Sequence, residues 1–377
     1  MGLKFRILRS PEEWTQLRGS WDTMVQSQSS SISGLDVTST FIWAETLWGN
    51  HLGRTGLEVL VAESDNGIEA LIPYHLGSKT VHSIRCRSLA PITELYSGRC
   101  GFLLREPRLE ILEAVLNELR EHVPSWDVFL FTLVEDSPSD LLLRELEGRD
   151  GLRLERISSQ RSPYIVLDKP WEEYFASLPR KFRWNLRNFE KKMKGAGEVS
   201  HRVFESGSDS GEFLSRMQEI ERASWKEEAG SSLTANPLQE SFHGRLLRAA
   251  ADQGWFSGHV LEFRGEPVAY VYGLLYGNVF YDLKESYKST YRDFGPGHVL
   301  KLSLMEQLFT RRVAFYDYMG LCEEYKLRWT DKTYSRSTFL LYNRTLAARA
   351  ARLAGRIKTR LRVFGSKPGP ALQPSSR

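Results

Sequence analysis

The sequence predicts an α/β protein made of two similar halves, each with a mixed central sheet flanked by helices. Three observations carry that expectation. The order hairpin, strand, helix, strand occurs twice along the chain, a glycine-rich turn joins a strand to a helix in the second copy, and 377 residues suffice for about two domains with cores of their own. The expected units are residues 1–160, 161–345 and a basic tail at 346–377.

In the first half, 57–63 (LEVLVAE), a turn at Asp65-Asn66-Gly67 and 68–75 (IEALIPYH) read as a hairpin. Strand-like residues near 81–89, a helix at about 107–122 and a strand at 126–133 follow. In the second half, 258–263, a turn at Arg264-Gly265-Glu266 and 267–276 form the matching hairpin, with a strand at 279–287, a helix at 297–311 and a strand at 313–319.

Between the halves, 178–194 has Pro179 at its start, carries Phe182, Leu186, Phe189 and Met193 on one stripe and ends at Gly195-Ala196-Gly197, which defines an amphipathic helix. Seven of the fifteen residues 180–194 are basic, so the polar face is either solvated or meets an anionic group, with Arg183 and Arg187 as candidate substrate contacts. The helix-like 215–230 offers Trp225 as a candidate for the acceptor pocket, against the commoner use of tryptophan in a core.

Net charge hides an asymmetry: residues 344–377 hold nine Lys or Arg and no acid, leaving 42 basic against 47 acidic residues in the rest. There Leu346, Ala350, Leu353, Ile357, Leu361 and Phe364 recur at helical spacing, with arginines on other faces. Such a helix suits docking on its own domain, an anionic membrane surface or nucleic acid. The end beyond Gly365 has the composition of a disordered segment.

Cys86, Cys100 and Cys322 are too few and too scattered for a disulfide framework or zinc cluster, and the histidines lack metal-ligand spacing, so no metal is expected. His259 reads as a satisfied polar residue or a catalyst with equal ease. No apolar run reaches a membrane span and the N-terminus has no signal-peptide core, which points to the cytoplasm. Nothing in the chain suggests a covalent acyl-enzyme.

The turn 291–298 (YRDFGPGH) is the most informative segment. Two glycines around a proline bend the backbone so that amides converge at a helix N-terminus, an anchor for a pyrophosphate formed by Arg292, Phe294, Gly295, Pro296, Gly297, His298 and Val299. Neither a Walker loop nor a dinucleotide fingerprint is present, and Arg292, Gly295 and Gly297 fit Arg-x-x-Gly-x-Gly. That spacing resembles the CoA loop of GNAT acyltransferases. The first copy has Leu95 to Gly101 at the equivalent place without a helix directly after it, so the cofactor is placed in the second half only.

Residues 179–194, the Gly295-Pro296-Gly297 turn, 316–320 (YDYMG) and 325–329 (YKLRW) resemble the CelD-like or BioF2-like GNAT subfamily. Phe294-Gly295-Pro296-Gly297 stands where that subfamily has a Ser-Pro-Gly entry, and Tyr318 replaces a Phe. The resemblance implies a tandem GNAT fold and direct transfer from acetyl-CoA or another acyl-CoA to an amino or hydroxyl group, of a sugar in envelope-polymer synthesis or of another small-molecule or peptide acceptor. It implies a cytoplasmic enzyme, and the membrane reading of the basic tail would add peripheral contact with the inner membrane through 344–377. The related Fem peptidyltransferases imply an alternative with aminoacyl-tRNA as donor, the one case in which nucleic acid is expected. A non-catalytic protein of the same fold, binding polymer or membrane, is the third alternative.

Direct acyl transfer needs a base for the acceptor, a donor for the oxyanion and a proton for the leaving thiolate. Strict alternation along 279–287 puts Asp282, Lys284 and Ser286 on one side and Leu283 and Glu285 on the other. Glu285 and Asp317 are the base candidates, against a bland role as loop caps or arginine partners. Tyr325 and Lys326 are the candidates to protonate the thiolate or fix the acceptor, against packing beside Trp329 and an ion pair with Glu323 or Glu324.

Overall fold

A computed structural model describes residues 2–29, 31–50, 56–92, 98–123, 126–147 and 149–365. The first half runs β1 (Lys4–Leu8), α1 (Pro11–Thr15), α2 (Arg18–Gln28), α3 (Phe41–Asn50), β2 (Gly56–Ser64), β3 (Gly67–Val81), β4 (Ile84–Pro91), β5 (Leu103–Leu104), α4 (Leu109–Glu121), β6 (Val128–Val134), α5 (Pro138–Leu146) and β7 (Leu154–Val166). After the linking helices α6 (Trp171–Ser177) and α7 (Arg180–Ala196), the second half repeats the order: β8 (Val199–Phe204), α8 (Ser210–Arg222), α9 (Trp225–Glu228), α10 (Pro237–Asp252), β9 (Phe256–Phe263), β10 (Glu266–Tyr276), β11 (Val279–Tyr287), α11 (Pro296–Thr310), β12 (Phe315–Asp317), α12 (Glu324–Leu327) and β13 (Thr333–Tyr342). The tail helix α13 spans Leu346–Gly365.

Local sequence explains most of these elements. The VFLFTLV run of β6 is buried at every position, as a central strand covered on both faces requires. In α4, Ile111, Leu112, Val115, Leu116 and Leu119 form one buried stripe. The Arg264-Gly265 turn of the β9–β10 hairpin has positive φ at both residues, the geometry that matches strand twist. The expected single helix across 215–230 divides at Ala223-Ser224 into α8 and α9.

All strands join one thirteen-stranded sheet, in the order β1-β2-β3-β4-β6-β13-β7-β12-β11-β10-β9-β8, with β5 on β3. Its centre is an exchange. The last strand of the second half, β13, pairs with β6 of the first, while the end of β7 pairs with β12 of the second, and β7 and β13 pair with each other. Residue 160 lies inside β7. In both halves the strands either side of the repeated helix are parallel, β4 with β6 and β11 with β12.

The halves also share a core. Trp43 on α3 packs edge-on against Phe242 on α10 at 5.3 Å, within a cluster that includes Trp21, Phe213 and Tyr272. Beneath it, the buried Arg99 bridges Asp36 of the first half to Asp317 on β12 and Tyr334 on β13. On the opposite face α6, α7 and α11 cover the second-half strands through Phe175, Phe182, Leu186, Leu304 and Leu308. The expected first-copy turn at 95–97 and the tail beyond 365 lie outside the described residues.

Candidate functional site

The parallel pairing of β11 and β12 ends at Tyr281 opposite Asp317. Beyond it β11 continues to Tyr287, whereas the chain after β12 turns off through Met319 at φ 53°. The strands part there, and a cavity of about 330 Å³ opens between them. Asp282 to Glu285, Tyr318 to Gly320, Tyr325 and Lys326 line one part, and Lys226, Gln239, His243 and Trp43 the other.

A β-bulge decides which side chains meet. Tyr272 pairs with Lys284 and Gly273 with Asp282, so Leu283 is the extra residue on β11. Parity flips across it, which corrects the strict alternation expected from the sequence: Asp282 and Glu285 share a face and bind one ammonium, Lys301 on α11, at 2.9 and 2.7 Å. A Cβ on Gly273 would lie 2.6 Å from the Tyr281 carbonyl oxygen, so the bulge needs glycine opposite it.

Electrostatics separate the two carboxyls. Burial alone would raise Glu285, but Lys301 beside it, with Lys226 and Lys326 farther off, holds it below the ordinary carboxylate value. Asp282 goes the other way, pushed up by burial and by the neighbouring Glu285 despite Lys301. Its oxygen accepts from the Tyr316 hydroxyl, which also contacts Lys301. Tyr325 is pushed up strongly by burial and by the nearby Glu285 charge, so it stays a phenol at neutral pH. Lys326 is held by Glu323 at 2.8 Å and the Leu321 carbonyl.

The remaining candidates lie elsewhere. Asp317 is fully buried, bound by Arg99 at 2.9 Å and by the Tyr334 hydroxyl, and accepts from the Met319 amide at 2.7 Å, so it anchors the turn and does not line the cavity. Trp225 is exposed and off the lining, although its neighbour Lys226 is on it. Arg183 is half-buried on α7, and Arg187 stacks over Phe175 at 5.1 Å. His259 is buried in a chain of hydrogen bonds between Ser257 and His201.

The glycine turn leads from β11 into α11. After a 3-10 turn, Ser289–Phe294, Gly295 sits in the left-handed region at φ 60° and Pro296 opens α11, whose N-terminus has no side-chain cap. The amides of His298 and Val299 donate to the Gly295 carbonyl and that of Gly295 to the Arg292 carbonyl, so the amides expected to converge at the anchor are engaged within the turn and the first turn of the helix, leaving, among the described residues, that of Gly297. Phe189 lies against Gly295, where a Cβ would come within 2.6 Å of its ring, and stacks on His298. Lys192 donates to the Asp293 carbonyl, which brings the basic helix α7 over the turn. Arg292 is exposed, and a Cβ on Gly297 would meet only Tyr287 at an ordinary 3.6 Å.

Residues 180–327 match the family described as Acetyltransferase (GNAT) domain. Among solved structures, a tandem GNAT protein from the clavulanic acid biosynthesis pathway is 12% identical, with a TM-score of 0.50 over 90% of this chain and 98% of that one. The chain has a tandem GNAT fold. FemX aligns with a TM-score of 0.60 at 14% identity, over 92% of this chain and 99% of its own. L-PGS from Bacillus licheniformis gives 0.52 at 14%, over 92% and 97%. At these identities the likeness is one of fold. No curated protein matches the sequence.

Within the GNAT half, the structure brings Glu285, Tyr325 and Lys326 to one cavity. Sequence reasoning missed Lys301, Tyr316, Lys226, His243 and the first-half Trp43. Lys301 alone had a signal: a lysine amid the apolar residues of a helix buried on most sides.

Proposed function

We propose that the protein is an acyl-CoA-dependent acyltransferase that moves the acyl group directly to an amino or hydroxyl group bound where β11 and β12 part. The observation that carries this reading is the meeting of Glu285, Tyr325 and Lys326 in one cavity, with Glu285 bound to Lys301 of α11. Glu285, ionised and fixed by Lys301, takes the acceptor proton. The acceptor attacks the thioester carbonyl, the C–S bond breaks, and Tyr325 or Lys326 gives the leaving thiolate its proton.

The turn fits a diphosphate in three respects: the uncapped N-terminus of α11, the room at Gly297 and the nearby cations Arg292 and Lys192. Polar atoms that lack a partner among the described residues line the same cavity, the Tyr318 hydroxyl, His243 Nδ1 and Trp43 Nε1, and a bound acceptor would satisfy them. Lys226 and Lys284 face that space without an ion pair among the described residues, which suits an acceptor with an anionic group near its nucleophile. A donor in the acyl-CoA class and three cysteines that form no disulfide both agree with a cytoplasmic site.

One observation favours a second donor. Phe189 covers Gly295 and the basic α7 overlies the turn, an arrangement that also suits the terminus of an aminoacyl-tRNA. Thiol release from acetyl-CoA and longer acyl-CoAs across amine and hydroxyl acceptors, beside transfer from charged tRNA, tests the reading. CoA formation that needs acceptor and vanishes in Gly297→Glu is expected; transfer from charged tRNA alone would replace the acyl-CoA donor.

A further inference from the structure

The tail helix docks the wrong way round for a helix that only completes the core. Its buried side is small, Ala348, Ala351 and Gly355, the last with its Cα against the His82 ring. Its large apolar residues face outward: Leu346, Leu353 and Ile357 are 83%, 61% and 50% exposed. They form one stripe with Ala350 at helical spacing, which the sequence continues to Leu361 and Phe364.

Arginines run along one flank of that stripe. Arg344, Arg349, Arg352 and Arg356 join Arg120 at the end of α4 and Arg153 before β7 around a groove of about 410 Å³, and no acidic residue lines it. Among the described residues, Arg344, Arg349, Arg352 and Arg356 form no ion pair with a carboxylate. The acid that acts on Arg352 is Glu155, already engaged by His82 and Tyr342. Burial and the neighbouring Arg356 and Arg153 lower the Arg352 guanidinium, so Arg349, Arg352 and Arg356 crowd like charges together with no carboxylate ion pair among the described residues.

We propose that this face docks on an anionic phospholipid surface, with lipid phosphates in the arginine groove and Leu346, Leu353 and Ile357 entering the interface. Guanidinium forks bind phosphate oxygens in pairs, and the adjacent apolar stripe needs an apolar medium beside those phosphates. A nucleic acid would meet the charges and leave the leucines in water. The surface is separate from the cavity at β11 and β12, so this inference stands whichever acyl donor is used.

Co-sedimentation of the full chain with phosphatidylcholine vesicles, and with vesicles containing about 30% phosphatidylglycerol, tests it. About tenfold more protein should sediment with the anionic vesicles. Leu353→Glu with Ile357→Glu should abolish that excess at an unchanged melting temperature, and Arg349→Gln with Arg352→Gln and Arg356→Gln should remove most of it and its dependence on salt. Equal sedimentation with both vesicles, or wild-type behaviour of both variants, would overturn the proposal. So would binding of inorganic polyphosphate or bulk tRNA, sensitive to the arginine variant, by a protein that ignores vesicles.

Discussion

Among single residues, Glu285 carries the proposed chemistry. Its carboxylate is kept ionised by Lys301 at 2.7 Å while Asp282, on the same ammonium, is pushed up by burial. Glu285→Gln keeps the shape and removes the proposed base, and a loss of about 10²- to 10⁴-fold in kcat/KM is expected in steady-state thiol release, with CoA affinity retained. Because the folded carboxyl lies below its ordinary value of 4.5, the base remains ionised through the mildly acidic range, and kcat/KM for a hydroxyl acceptor should show no acid limb near or above that pH. An unimpaired Glu285→Gln enzyme would remove this residue from the reaction. The sequence showed Glu285, Tyr325 and Lys326 as chemically suited groups, because side-chain type is enough for that. It could not show that Glu285 and Asp282 share a face, because the extra residue Leu283 shows only in the cross-strand register, nor that Asp317 is occupied by an arginine 218 positions away.

At the scale of elements, hairpins and helices with a strong local period were legible and short or exchanged strands were not. The strand expected at 279–287 and the helix expected at 297–311 appear almost to the residue as β11 and α11, since β-branched and aromatic runs, helical spacing and turn glycines are local signals. The strand expected at 313–319 forms only at Phe315–Asp317, because the chain leaves β11 to open the cavity. β7 and β13 carry long polar stretches, and their pairing is set by tertiary context. The turn into α11 makes a test at this scale. Gly295→Ala should lower stability by roughly 1–3 kcal/mol in urea unfolding, since it combines the left-handed backbone with a Cβ against Phe189. An unchanged midpoint would mean that α7 does not press on the turn.

At the scale of the whole molecule, the exchange of β7 and β13 makes two sequence repeats into one continuous sheet, and Arg99 ties them below the sheet. Arg99→Met would leave Asp36 and Asp317 buried without their cation, and a loss of about 3–5 kcal/mol is expected; a loss near zero by calorimetry would mean that the ion network does not join the halves. Acid should loosen the fold through its histidines. Burial pushes His201 down to about 4 and His243 to about 3, and His259 falls well below its ordinary 6.5 with His201 and Arg311 adding to burial. The folded chain keeps them neutral while the unfolded chain protonates them, so their contribution is full above pH 6.5 and is lost as pH falls toward 4, at up to about 1.4 kcal/mol per pH unit for each. A urea midpoint that does not fall between pH 7.5 and about 5 would contradict that assignment.

In the proposed function, the GNAT half holds a thioester carrier by its diphosphate at the turn into α11, with the reacting end in the cavity where β11 and β12 part. Calorimetric titration of CoA into the full chain tests it most directly. The account predicts saturable one-to-one binding that is abolished by Gly297→Glu and kept by Glu285→Gln. Absence of binding to the folded wild type, or equal binding by Gly297→Glu, would contradict it.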